Sequence, residues 1–512
     1  MVTEMNSTRY FVSAIQMAES FYWGHNLLVR SKTFICNNLF CLIIIFLFVW
    51  WSTILADAQG PPFNKELTSI VENELQSGMV ASIQVAELGS GKILMETNPD
   101  LPLVPASTLK IITSACALSY LGPDYIYRTN VYADGWNGSS VKSLYVKGAG
   151  DPHFVTEDLF LLTRMIADKG LVEVRGSIIV DDSFFEPGKP VDENEELGTR
   201  AYHAPYSALS LNFNSVKVSA IASSRVGQAA RVILDPASQY FELRSNVMTV
   251  EGSRPCQFDI NKTSTPEGKE LLAISGSIGV DSQSRSRYVN VSNPSLYFGY
   301  TLKEFLQREG IKIQGNVVPG RVPDSATLIC DYPSKPMSSI IYWLNKFSNN
   351  FMAEQVCLTL GATALGVPGT REKGLEVLKR YLLKCGVSDS QFSLSDASGL
   401  SRGNKVSAST LVKVLLTSVG DFNYGPEYLS SFAVSGVDGT LKEKFSDANM
   451  RRKIRAKTGT LRGVSALAGF GVSKTGRILV FSVLVNSSKP KGFLDQAEKI
   501  ARSIFNVNFE KK

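Results

Sequence analysis

The stretch Pro105-Ala106-Ser107-Thr108-Leu109-Lys110-Ile111-Ile112-Thr113-Ser114-Ala115-Cys116-Ala117-Leu118-Ser119-Tyr120-Leu121 decides the fold of this 512-residue chain. Apolar residues at almost every position from 107 to 121 predict a helix buried on most sides, opened by Pro105. Ser107 and Lys110 stand at i and i+3, a spacing that puts both side chains on one helix face. A serine hydroxyl is a weak nucleophile until a neighbouring base takes its proton. A lysine held in apolar surroundings has a depressed pKa, so its neutral amine can be that base. Among Leu109, Ile111 and Ile112 an unemployed charge would be costly.

Outward from that helix, residues 62–79 read as an amphipathic helix. Strand 80–88, a Gly89-Ser90-Gly91 turn and strand 92–96 then make a hairpin. At the other end of the chain, residues 455–460, 465–472 and 477–486 read as consecutive antiparallel strands, with a closing helix at 494–505. Helices at 336–347, 351–364 and 371–385 precede them. The pattern predicts an α+β domain assembled from both chain ends, 59–125 and 333–512.

The middle differs in character. Strand 143–147, Gly150-Asp151-Pro152, helix 156–169, Gly170 and strand 173–180 form one unit. A second copy is predicted as strand 288–291, Asn293-Pro294, helix 299–309, Gly310 and strand 312–318. These units assign 126–214 and 287–332 to an inserted α+β domain. The intervening 215–286, rich in Ser, Val, Asn and Gly, reads as a small β domain nested inside it.

Composition narrows the chemistry. The chain is 44% hydrophobic and 20% charged, ordinary for a globular protein and unlike a disordered or collagenous one. A net charge of +6 without a Lys/Arg-rich run does not call for a nucleic-acid partner. With only His25, His153 and His203, no histidine-rich metal site can be built and a base other than imidazole is expected; the serine chemistry set out below requires no metal or other cofactor. An uncharged stretch from 33 to 56, preceded by Arg30 and Lys32 and followed by Ala56-Asp57-Ala58, reads as an export signal over 1–58. Cleavage is expected near Ala58; left uncleaved, the stretch is long enough to anchor the chain in a membrane, and either way residues 59–512 are expected outside the cytoplasm. Of seven cysteines, Cys36 and Cys41 fall in that segment. Cys116, Cys256, Cys330, Cys357 and Cys385 remain, so at least one thiol is free.

Two more motifs join the first. Ser348-Asn349-Asn350 lies between two apolar helical runs, where polar residues are ordinarily turn and cap chemistry. Read with Ser107 and Lys110, Ser348 can relay a proton to a leaving amine and Asn350 can donate its amide to a substrate carbonyl. Lys457-Thr458-Gly459 begins the C-terminal hairpin. Lys457 and Thr458 offer an ammonium and a hydroxyl to a substrate carboxylate, and Gly459 permits close approach of substrate backbone. The backbone N–H groups of Ser107 and Thr460 can form an oxyanion hole.

In this order, Ser-x-x-Lys, Ser-x-Asn and Lys-Thr-Gly resemble the signature of the penicillin-recognising serine enzymes. Ser107 and Ser348 are 241 residues apart, and Ser348 and Lys457 are 109 apart. With Gly148-Ala149-Gly150-Asp151-Pro152, Ser207-Ala208-Leu209-Ser210-Leu211-Asn212 and Asp396-Ala397-Ser398-Gly399-Leu400-Ser401-Arg402, the chain resembles the S13 peptidases over about 62–508. These are the class C low-molecular-mass penicillin-binding proteins, D-alanyl-D-alanine carboxypeptidases and endopeptidases. The resemblance implies a β-lactamase/transpeptidase-like domain carrying two nested insertions. It also implies peptidoglycan stem peptides as substrates and β-lactams as inhibitors. By the same resemblance Arg402, and more loosely Tyr202, line the substrate pocket, while Arg462 stands where the family often has glutamine. A β-lactamase or esterase on the same fold, or a non-catalytic wall-peptide binder, is the alternative function.

Overall fold

In a computed structural model of the protein, the residues described are 75, 78–186, 204–253, 257–489 and 495–507. The export segment, nearly all of the helix expected over 62–79, Tyr202, His25, His203 and Cys256 lie outside them; Met79, its last expected residue, is already in a strand.

Both chain ends meet in one six-stranded sheet. Its order is Ala433–Val434, Ile454–Leu461, Val464–Val472, Ile478–Ser487, Met79–Glu87 and Ile93–Thr97. The join is antiparallel and in register from Met79↔Ser487 to Glu87↔Leu479. Helix Gln496–Asn506 and helix Ala408–Gly420 contact the central strands of this sheet. The predicted C-terminal strands and hairpin are present within about a residue at each end. The Gly89–Gly91 turn closes through Gly91 N–H to the Glu87 carbonyl (2.9 Å).

The decisive stretch divides into two parts. Ala106–Leu109 is a 3-10 turn, and the α-helix runs Lys110–Leu121. Every residue from Lys110 to Leu118 is buried, as the unbroken apolar pattern predicted. The helix packs against Met337–Phe347, Asn350–Leu365, Arg371–Lys384 and Ala408–Gly420. Cys116 and Cys357 are core residues there, and Cys116, Cys330, Cys357 and Cys385 are free thiols.

The middle of the chain has its own hydrophobic core. Its five-stranded sheet is ordered Val317–Pro319, Ile178–Asp181, Ser143–Gly148, Arg128–Asp134 and Thr327–Pro333. The two similar strings lie side by side, Lys312–Ile313 parallel to Glu173–Val174 and Val317–Pro319 parallel to Ile178–Asp181. Each expected single strand breaks in two at a glycine, Gly176 and Gly315. A Cβ on Gly315 would sit 2.4 Å from the Gly176 carbonyl, so the two breaks must coincide. The second copy also departs from expectation at its start. Its helix begins at Pro294 rather than 299, because Asn293 caps the amide of Leu296 (3.1 Å) and Pro294 occupies the first turn. The preceding strand, Arg285–Asn290, pairs with Ser215–Ile221 outside the five-stranded sheet, so it is no counterpart of Ser143–Gly148. Residues 215–286 are β-rich as read, with Phe241–Val250, Glu270–Gly279 and Gln257–Ser264 forming a further sheet.

Candidate active site

Lys110 is held by its own motif, by Asn350 and by the loop at Ser398, segments far apart in the chain. Its Nζ donates to Ser107 Oγ at 2.9 Å, to Asn350 Oδ1 at 2.7 Å and to the Ser398 carbonyl at 2.6 Å. The amine is fully buried, and that desolvation brings its pKa from the usual lysine value down to about 7, against the opposing pull of Asp396 and Glu354. A lysine so placed is neutral for much of the time near neutral pH and lies against the hydroxyl it would deprotonate.

Local geometry aims Ser107 outward. Ala106 has φ 48°, unusual for a residue with a side chain, and turns the chain immediately before the nucleophile. In the 3-10 turn that follows, residues i and i+3 eclipse, which brings Ser107 over Lys110 more closely than an α-turn would.

Ser348-Asn349-Asn350 serves structure and site together. Ser348 ends helix Met337–Phe347 in a left-handed conformation (φ 58°), and Asn349 caps the next helix at Met352 N–H (3.0 Å). That junction turns the two flanking side chains inward. The Asn350 carbonyl oxygen must face Lys110, since an ammonium or amine N–H only donates there, so its NH2 remains the donor for another group.

Lys457 lies beside the second motif. Its side chain is fully buried, and Nζ donates to Ser348 Oγ at 2.7 Å and to the Thr458 carbonyl at 2.9 Å. Burial, and then the charge on Lys110, pushes its pKa well below the usual lysine value. Its amine thus reaches the Ser348 hydroxyl. Thr458, half-buried, carries a hydroxyl bonded to Thr440 Oγ1 (2.9 Å). Beyond Ala456 no strand pairs with its outer side among the described residues, because Ala433–Val434 pairs only with Ala456 and Arg455. Thr460 is exposed on that free edge. Gly459 differs from expectation: a Cβ there would meet the chain's own Pro105 carbonyl at 2.6 Å and the Ser107 amide at 3.1 Å. The glycine lets the strand press against the turn that carries Ser107, close to the Ser107 amide.

Arg402 is exposed and donates to the Arg462 carbonyl at 2.5 Å. It thus touches the residue that replaces the family's usual glutamine. Neither Arg402 nor Arg462 contacts Ser107, Lys110 or Lys457 through any hydrogen bond among the described residues.

Sequence reasoning missed the buried acids behind the site. Glu354 Oε1 accepts the amides of Ala397 (3.0 Å) and Ser398 (2.9 Å), and Asp396 accepts those of Ser398, Gly399 and Ser401. Together they shape the loop whose Ser398 carbonyl holds Lys110. Desolvation, then Asp396, raises Glu354 to about 7. The Asp396–Arg402 string was legible; Glu354, inside an apolar helix, was a lone buried acid of the kind that needs a partner.

A pH dependence follows. Acylation of Ser107 should rise with pH and level off above about pH 7, as Lys110 loses its proton. In Asp396→Asn the charge that favours protonated Lys110 is gone, so the midpoint should move to lower pH. An unchanged midpoint in acylation rates from pH 5 to 9 would contradict this electrostatic coupling.

Residues 63–504 match the model of the D-Ala-D-Ala carboxypeptidase 3 (S13) family. A D-alanyl-D-alanine carboxypeptidase from Actinomadura sp. is 32% identical over 454 residues, covering 85% of this chain and 83% of that relative. Among solved structures, penicillin binding protein 4 from Haemophilus influenzae superposes with a TM-score of 0.72 at 22% identity, covering 86% of this chain and 98% of the other. A predatory peptidoglycan endopeptidase from Bdellovibrio bacteriovorus gives 0.50 at 17%, covering 84% and 95%. The latter two likenesses concern the fold.

Proposed function

The chain belongs to the D-Ala-D-Ala carboxypeptidase (S13) family, and we propose that its serine-type carboxypeptidase chemistry runs through an acyl-enzyme on Ser107. The observation that carries this is the bond from a buried, pKa-lowered Lys110 to the Ser107 hydroxyl.

Ser107 Oγ attacks the carbonyl carbon of the penultimate D-Ala of a peptidoglycan stem peptide while Lys110 takes its proton. The carbonyl oxygen becomes the oxyanion, facing the amides of Ser107 and Thr460. Asn350 presents its NH2 to the substrate backbone, and the Thr458 hydroxyl takes the terminal carboxylate. The C–N bond then breaks, and the departing nitrogen receives a proton through Ser348, whose hydroxyl Lys457 holds in place. Water hydrolyses the resulting ester by the same route. Benzylpenicillin acylates Ser107 likewise and is retained. Action on D-Ala cross-links as well as on terminal D-Ala-D-Ala belongs to the same proposal, as do Arg402 and Tyr202 as pocket residues and export to the periplasm through the 1–58 segment. Among the described residues no helix is long and apolar enough to cross a membrane.

We also read 59–125 with 333–512 as the catalytic domain and the intervening chain as two nested insertions. The separate hydrophobic core of the middle segment supports this division.

Intact-protein mass spectrometry after exposure to benzylpenicillin tests the assignment. The expected result is one stable adduct, absent from Ser107→Ala. Rapid drug hydrolysis without an adduct would instead indicate a β-lactamase, and neither adduct nor turnover would indicate a binding protein.

A further inference from the structure

A cleft of about 660 Å³ opens from Ser348–Asn350 and runs away from the nucleophile along the middle segment of the chain. Its walls also carry Glu157, Phe213, Lys217, Asp235 and Tyr288. None of these takes part in the chemistry described above.

The wall nearest Ser348 is built at a conformational cost. Asn212, Phe213 and Asn214 all have positive φ, 51°, 57° and 52°, in a chain segment without glycine. Three consecutive left-handed residues persist only where surrounding bonds over-determine them, and such strain gathers at functional sites. Here Asn214 is fully buried and bonds the Pro205 carbonyl (2.8 Å) and Ser210 Oγ (3.1 Å), while Asn212 accepts the Thr156 amide (3.0 Å). The turn thereby places Phe213 edge-on to Phe351, the residue next to Asn350, with ring centroids 6.3 Å apart. Gln355 ties the same segment to the catalytic helix by donating to the Ser207 carbonyl (2.9 Å). The cleft wall and the Ser348–Asn350 junction are therefore fixed relative to each other.

The lining combines charges of both signs with aromatic faces. Lys217 lies 4.0 Å from Asp235, both partly open to solvent, and Tyr288 is 60% exposed. That chemistry suits a peptide bearing both carboxylates and an amine. A terminal D-Ala leaves as a small residue with one methyl side chain. The residue leaving from a cross-link continues through its side chain into a second stem peptide, which needs room beyond Ser348. We propose that this cleft holds the second stem peptide of a cross-linked substrate, on the leaving side of the scissile bond. The inference rests on the acyl-enzyme reading of Ser107 and assigns Lys217 and Tyr288 as residues that favour cross-link cleavage over removal of terminal D-Ala.

The test uses the full chain and its Lys217→Ala and Tyr288→Ala variants, with two substrates and one probe. kcat/KM is measured on a stem-peptide monomer ending in D-Ala-D-Ala and on a D-Ala-cross-linked dimer. Acylation by benzylpenicillin reports an intact nucleophile and fold. Each variant should lose about tenfold in kcat/KM on the dimer, the loss of one well-placed contact, with monomer cleavage and penicillin acylation near the parent values. Equal losses on both substrates would place the cleft on the acyl-donor side and overturn the proposal. Unchanged dimer cleavage, or a parent protein that takes penicillin but leaves the dimer intact, would overturn it too. Failure of the parent to take penicillin would instead refute the acyl-enzyme reading beneath it.

Discussion

Lys110→Ala should slow acylation of Ser107 by benzylpenicillin about a thousandfold, within the ~10²–10⁴ range that a positioned general base contributes. The expectation comes from geometry before charge. Lys110 Nζ is the group bonded to Ser107 Oγ, and Asn350 and the Ser398 carbonyl hold it there from two further directions. Ser348 is bonded to Lys457 instead, so a second base is not in place for Ser107. The residual rate should also lose the inflection near pH 7, because the titrating group is gone. Time-resolved mass spectrometry of the adduct measures both. Acylation within tenfold of the parent, or an inflection that survives the substitution, would take the base's role away from Lys110. Removing the amine leaves Asn350 and Ser398 facing a small void, so the melting temperature belongs beside the kinetics.

Gly399→Ala carries the second large effect, and it is a backbone effect. Gly399 has φ 82°, and a Cβ there would lie 1.9 Å from the Ala106 carbonyl oxygen and 2.5 Å from its carbon. The left-handed conformation alone costs an alanine about 1–2 kcal/mol, and the overlap with fixed backbone adds to it. Relief requires moving either the nucleophile turn or the loop that presents the Ser398 carbonyl to Lys110. In both cases the Ser107–Lys110–Ser398 bonds break. Acylation should fall about a hundredfold, as misplacement by an ångström can cause, with a lower melting temperature. Parent-like acylation would mean that this packing is not needed to align the nucleophile.

Much of the site could be read before any coordinates. Ser107, Lys110, Ser348, Asn350 and Lys457 stand in motifs whose order and chemistry are local, and a buried apolar run around a lone lysine announces itself. Five strands of the six-stranded sheet were equally legible, since alternation and turn residues mark its hairpins, whereas the two-residue edge strand Ala433–Val434 was not. Other features depend on distant partners. Nothing in Lys-Thr-Gly says that Lys457 turns inward to Ser348, or that Gly459 is small for the sake of Pro105. Glu354 lies within an apolar helix, and its purpose appears only when the amides of Ala397 and Ser398 arrive 43 and 44 residues later. The glycine breaks at Gly176 and Gly315 are visible as residues, but their coincidence is a fact of strand pairing.

The sequence by itself determined the order and spacing of the three motifs, the α+β class, the buried lysine three residues from Ser107 and the scarcity of histidine that pointed away from an imidazole base. These follow from side-chain chemistry and short-range periodicity, which the chain carries residue by residue. Only the tertiary structure decided which lysine faces which serine, why Gly315, Gly399 and Gly459 must lack a side chain, and how a strained turn at Asn212–Asn214 comes to wall a cleft beside Ser348. Those features depend on close approach between segments far apart in the chain, and burial and backbone contact exist only after folding brings them together.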